Sequence, residues 1–268
     1  MSTTRLKSVK LPSGASVVLR PLRAEELNLV VNMATNSGKR VSTERYESLL
    51  RVLQNCTVSV ENPGPFTDFT WAKTGDGDQF AGLFALRALT FGNTYPVTRE
   101  CDDCGATFTA NPSFLSTEDG GDLRVFAMHT DACAALGQPM PHLPPFTLPS
   151  GATVVCRIIA GPARKEATKI VEELKSDPFI ASLRSRIVTM TDADGSAVEP
   201  NDLTRAVRQM EATDLQAMQD YLTEMDGGID DYFPLACTSC GHVNEEATAP
   251  FVFQADFWGI PRKRRSQR

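Results

Sequence analysis

A Cys-x-x-Cys-Gly motif occurs twice in this chain, and the pairing imposes a two-part plan on any fold it adopts. Cys101, Cys104 and Gly105 recur as Cys237, Cys240 and Gly241, 136 positions later. A second landmark repeats at almost the same offset. Residues 11–20 return as 148–157, 137 positions on, with eight of the ten identical. Two landmarks in register to within one residue point to an internally duplicated α+β unit, built from a strand or hairpin, helices and a cysteine knuckle. The expected division is a first repeat over 1–112, a linker over 113–145, a second repeat over 146–250, and an aromatic, then basic, tail over 251–268.

Local patterns fill in each repeat. Pro12, Ser13 and Gly14 form a turn signal that feeds a Val-rich strand. Leu27, Val30, Val31 and Ala34 then fall at i, i+3, i+4 and i+7, which predicts a helix with Glu25 and Glu26 in its first turn. Ser42 or Thr43 is the expected cap of a second helix carrying Tyr46, Leu49, Leu50 and Leu53. Residues 62–77 read as a long loop. Asp78 is the expected N-cap of a third helix, apolar on more than one face and closed by Gly92. Arg87, within that helix, is expected to snorkel to the surface.

The second repeat follows the same scheme. A strand near Val154 leads to a helical stripe of Ala167, Ile170, Val171 and Leu174. Asp177 and Pro178 break that helix and begin the next. Residues 192–195 read as a hairpin tip: their Asp-x-Asp-Gly resembles a calcium loop, but the twelfth position is Leu203 rather than a bidentate acid. Asn201 or Asp202, and then Asp214, are expected to cap two further helices.

Composition limits the function classes. Net charge is −6, so the body lacks the basic surface expected of a nucleic-acid binder, although Arg262, Lys263, Arg264, Arg265 and Arg268 form a basic tail. That tail reads as a solvated terminus or as a tether to an acidic neighbour. No apolar run reaches the length of a membrane span, and the start lacks the apolar stretch of a signal peptide. A cytoplasmic protein is expected, one that leaves the cell only inside a larger particle.

In a reducing compartment, paired Cys-x-x-Cys turns point to a metal rather than to disulfides. Zinc takes four soft ligands in a tetrahedron, and one knuckle supplies two of them. Cys101, Cys104, Cys237 and Cys240 are therefore the expected ligands of one structural zinc, in a zinc-ribbon-like site clasping the two halves. A redox pair, a disulfide scaffold and a catalytic zinc all fit the spacing less well. His129 and Cys133 read as ordinary helix residues, His242 as a neighbour of the knuckle, and Cys156 as a small buried apolar residue. No Walker loop, dinucleotide fingerprint, nucleophile elbow or His-Glu-x-x-His is present, so no catalytic residues are expected.

The segment 86–95 before Cys101 and the aromatic-proline ending 251–261 after Cys240, together with the two knuckles, resemble the baseplate hub and hub-assembly proteins of T-even-type contractile-tailed phages. The resemblance implies a non-enzymatic part in building the tail baseplate through contacts with other hub or tail proteins. Such a protein would act in the host cytoplasm during assembly or reside in the virion tail. Phe251, Phe253, Phe257 and Trp258 would then either fold back on the core or serve as partner-binding anchors. Deletion of residues 257–268 is expected to spare the fold and the zinc. The alternative function is a zinc-ribbon regulator that binds nucleic acid.

Overall fold

A computed structural model describes residues 7–35, 43–113, 122–138, 141–174, 177–230, 232–248 and 258. In the first half, β1 (Lys7–Lys10) and β2 (Ser16–Leu19) form a hairpin. Helices α1 (Ala24–Thr35) and α2 (Thr43–Cys56) follow. Helix α2 passes without a loop into β3 (Thr57–Asn62), which lies on the other side of β2 in an antiparallel sheet of order β1-β2-β3. After a 3-10 turn at Trp71–Lys73 comes α3 (Asp76–Phe91), then the hairpin of β4 (Val97–Glu100) and β5 (Thr107–Ala110).

The middle segment contributes β6 (Val125–Phe126) and α4 (Thr130–Leu136). The second half opens with β7 (Phe146–Thr147) and β8 (Thr153–Cys156), continues through α5 (Gly161–Glu173) and α6 (Pro178–Arg186), and passes directly into β9 (Ile187–Thr191). These strands form a second antiparallel sheet of order β7-β8-β9. Helices α7 (Leu203–Gln209) and α8 (Ala212–Asp226), strand β10 (Gly228–Ile229), and the hairpin of β11 (Tyr232–Ala236) and β12 (Val243–Thr248) complete the described chain.

Matching sequence produces matching turns. Leu11 N–H donates to Ala15 O at 2.8 Å and Gly14 N–H to Leu11 O at 2.8 Å; Leu148 and Gly151 make the corresponding bonds at 2.8 and 2.9 Å. The registers agree in part. Val17 pairs with Val60 and Val154 with Met190, and both sheets shift register between the equivalent positions Val18/Leu19 and Val155/Cys156; the first sheet also shifts between Ser16 and Val17.

Several expectations shift at this level. Strand β3 was hidden because its residues alternate without an inward face; almost the whole strand is exposed. Helices α3 and α8 each begin two residues before the expected caps, Asp78 and Asp214. Both aspartates are buried in the first turn instead. There they accept bonds from the turns: Ser13 N–H donates to Asp78 Oδ1 at 2.9 Å and Ser150 N–H to Asp214 Oδ1 at 3.0 Å. Asp202 precedes α7 but makes no side-chain cap. Val171, expected inward, is exposed. Arg87 does not snorkel. It is buried, donates to Gly92 O at 2.8 Å, and lies 5.2 Å from the Tyr95 ring centroid, where the π face receives the guanidinium. The hairpin tip is as read: Asp192 N–H donates to Ser196 O at 2.8 Å.

The main apolar core runs through both halves. The linker-like composition of 113–145 conceals core residues: Met128, Ala132, Ala135, Leu136 and Leu143 all belong to it. The segment is stitched on both sides, by Met128 N–H to Pro12 O at 2.9 Å and by His129 N–H to Met225 O at 3.3 Å. Arg164 of α5 pairs with Asp76 at the start of α3 at 2.5 Å, and its guanidinium lies 4.2 Å from the Tyr46 ring centroid. Among the described residues no helix is long and apolar enough to cross a membrane.

Candidate metal centre

The two C-terminal hairpins of the halves form a separate small cluster. Val97, Cys101 and Phe108 from one pack with Phe233, Leu235 and Cys237 from the other. This clustering places the knuckles, which sit at the tips of the hairpins. In the first, Cys101 N–H donates to Ala106 O at 3.0 Å and Gly105 N–H to Cys101 O at 2.9 Å. In the second, Cys237 N–H donates to His242 O at 2.8 Å and Gly241 N–H to Cys237 O at 2.9 Å. The chain can turn back there because Gly105 and Gly241 take φ of 69° and 78°, where a side chain would be strained.

The four sulfurs converge. Cys101 Sγ is 3.7 Å from Cys240 Sγ, Cys104 Sγ is 3.8 Å from Cys237 Sγ, and all four lie within 4.8 Å of one another. Zinc–sulfur bonds of about 2.3 Å in a regular tetrahedron set sulfurs about 3.8 Å apart. A disulfide would require about 2 Å. The spacing therefore fits four ligands around one cation. Cys101 and Cys237 are buried at the base of the site, whereas Cys104 and Cys240 are exposed at its rim. Asn244 Nδ2 donates to Asp102 Oδ2 at 2.8 Å, a second tie between the hairpins that spacing alone did not signal.

The thiols also depart from ordinary cysteine. The backbone N–H groups of Cys240 and Ser239 draw the Cys237 thiol down to about 6, favouring thiolate. At Cys240 the backbone N–H of His242 pulls down, but Cys104, burial and the other two thiols outweigh it and push the group up to about 12. Four sulfurs this close cannot all ionise without a cation to neutralise them, and a divalent metal with thiolate affinity supplies that charge.

Arginine–aromatic contacts support both hairpins. Arg87 meets Tyr95 ahead of β4. Arg124 lies 4.6 Å from the Phe233 ring centroid, pairs with Asp230 at 2.5 Å and donates to Tyr232 O at 2.9 Å.

The other expected residues fall as follows. His242 is exposed and serves the knuckle through its carbonyl. His129 caps α4, its Nδ1 accepting from Asp131 N–H at 3.2 Å, and Cys133 Sγ points to Ser13 O and Met128 O. Cys156 is fully buried, and burial pushes its thiol up to about 12. Phe251, Phe253 and Phe257 lie outside the described residues. Trp258 is 1% exposed and belongs to the main core, so it folds back and is not an exposed partner anchor. The chain matches no family model, and neither a curated protein nor a solved structure shows significant similarity to it.

Proposed function

We propose that this chain is a non-enzymatic structural or assembly component of a contractile-tail baseplate hub, built from a duplicated unit and held by one structural zinc. The observation that carries the metal reading is the convergence of Cys101, Cys104, Cys237 and Cys240 at tetrahedral sulfur spacing. Four thiolates fill the coordination sphere and leave no position for substrate, which favours a structural over a catalytic metal. Duplication is supported by the paired turns, the shared register shift, and the Ser–Asp bonds repeated at offsets of 137 and 136. The baseplate assignment rests on the resemblance of the knuckle and aromatic-proline segments. Phe251, Phe253 and Phe257 are the proposed contacts to other hub or tail proteins.

Two measurements test this. Metal analysis of protein purified without chelator should give one zinc per chain; under half an equivalent sinks the single-site reading. Co-expression with baseplate hub and tail proteins from the same genome should give a stable complex that is lost on replacing the three phenylalanines by alanine. A salt-dependent shift of duplex DNA in place of that complex would support the nucleic-acid alternative.

A further inference from the structure

The two three-stranded sheets match in order and share one register shift; the first carries a second, between Ser16 and Val17, and the sheets differ at one edge. In the second half the chain turns back at the tip after β9 and runs along that strand's outer side. Val198 N–H donates to Met190 O at 2.9 Å, Asp192 N–H to Ser196 O at 2.8 Å, and Thr191 bridges Ala197. The edge of β9 is thereby covered by the protein's own backbone.

In the first half the chain goes elsewhere. After β3, Pro63 and Gly64 direct it toward the opposite hairpin. Asn62 Nδ2 donates to Gly14 O at 3.2 Å, and Gly64 packs so tightly that a Cβ there would lie 2.7 Å from the Ala15 nitrogen. Among the described residues no segment pairs with the outer side of β3. That strand is six residues long, with Val58 51% and Val60 39% exposed. Open edges of this kind are templates for another strand.

We infer that the outer edge of β3 is a docking edge for the β3 strand of a second copy of this chain, joining two three-stranded sheets into one across a two-fold axis at Ser59. The residues are self-complementary in that register. Val58 faces the second copy's Val60 twice, and Thr57 faces Glu61, so apolar side chains meet apolar ones and no like charges oppose. Val60 occupies the place of Met190, whose carbonyl accepts the covering strand in the second half. One strand edge buries less than the roughly 800 Å² per partner of a standard interface, so the dimer forms at high rather than low micromolar concentration. The inference does not depend on the metal or on the baseplate assignment.

Sedimentation equilibrium of the full chain from about 5 to 500 µM tests it. The expected result is a mass rising toward twice the monomer value. Val60→Lys should remain monomeric with unchanged circular dichroism and melting temperature. Val171→Lys, on an exposed site of α5, should dimerise as the parent does. Ser59→Cys should form a disulfide-linked dimer in oxidised glutathione that the parent chain does not, because directly opposed antiparallel residues lie within disulfide reach. A parent that stays monomeric throughout, a dimer untouched by Val60→Lys, or a Ser59→Cys chain that fails to cross-link each overturns the inference.

Discussion

Ser13 and Asp78 are joined by a 2.9 Å hydrogen bond from backbone N–H to carboxylate, inside the core and 65 residues apart in sequence. Burial raises the Asp78 acid to about 6, only partly offset by the bonds from Ser13, and its Oδ2 has no partner among the described residues. The native state therefore takes up a proton between about pH 6 and pH 4, where the unfolded chain is still ionised. Stability contributed by this group rises as pH falls through that window and is lost above it. Asp78→Asn keeps an acceptor for Ser13 and removes the charge. It should raise stability at pH 7.5 by roughly 2–3 kcal/mol, with the gain shrinking toward zero near pH 4. Urea unfolding of both proteins at several pH values checks this. The low-lying acids Glu26 and Glu166, hydrogen-bonded by Arg20 and Arg157, cancel in the comparison.

Arg186 and Asp226 form a two-pronged pair at 2.7 and 2.6 Å, linking the end of α6 to the end of α8. Removing one partner of such a pair leaves a charge without compensation. Asp226→Ala should cost about 3 kcal/mol or more, while Arg186→Met with Asp226→Leu should cost markedly less than the sum of the single changes. A double-mutant cycle by chemical denaturation gives the comparison.

Trp258 lies within the core, so truncation before it acts on folding. Deletion of residues 257–268 should lower the melting temperature, contrary to the expectation drawn from a detachable tail, and Trp258→Ala should cost about 3–5 kcal/mol. Deletion of 259–268 should leave the melting temperature within a degree or two. Thermal unfolding of the three proteins separates the cases.

Chelation should act on the hairpins first. Removing the proposed zinc, or changing Cys104 to serine, should lower the unfolding midpoint and expose the amides of β4, β5, β11 and β12 to hydrogen exchange. Those of β2 and β8 should stay protected. Equal loss of protection in every strand would count against a locally acting tie.

Apart from α4, the helices were largely legible, because a 3.6-residue apolar period survives in their sequences. The four cysteines were legible because soft ligands at fixed spacing have few other uses. What escaped were features set by partners distant in the chain. Asp78 and Asp214 look like caps, since acids belong at helix starts, and only the returning Ser13 and Ser150 turns make them buried acceptors. Arg87 looks like a surface residue until Tyr95 and the Gly92 carbonyl are placed around it. Strand β3 has no buried side to leave a pattern. The segment 113–145 is rich in Gly and Pro at its ends, which conceals the core helix α4 between them.

The knuckles stand near positions 100 and 240, with the middle segment and the second half of the fold strung between them. A cation gripped by both would turn this stretch into a closed ring, with the metal as its clasp. Closing about 100 residues or more removes on the order of 4–5 kcal/mol of freedom from the unfolded chain in the loop-closure model. Such a ring also tolerates a break. A single protease cut at the exposed 192–195 tip would leave two fragments still held by the metal and the shared core, parting only when zinc is withdrawn under denaturing conditions.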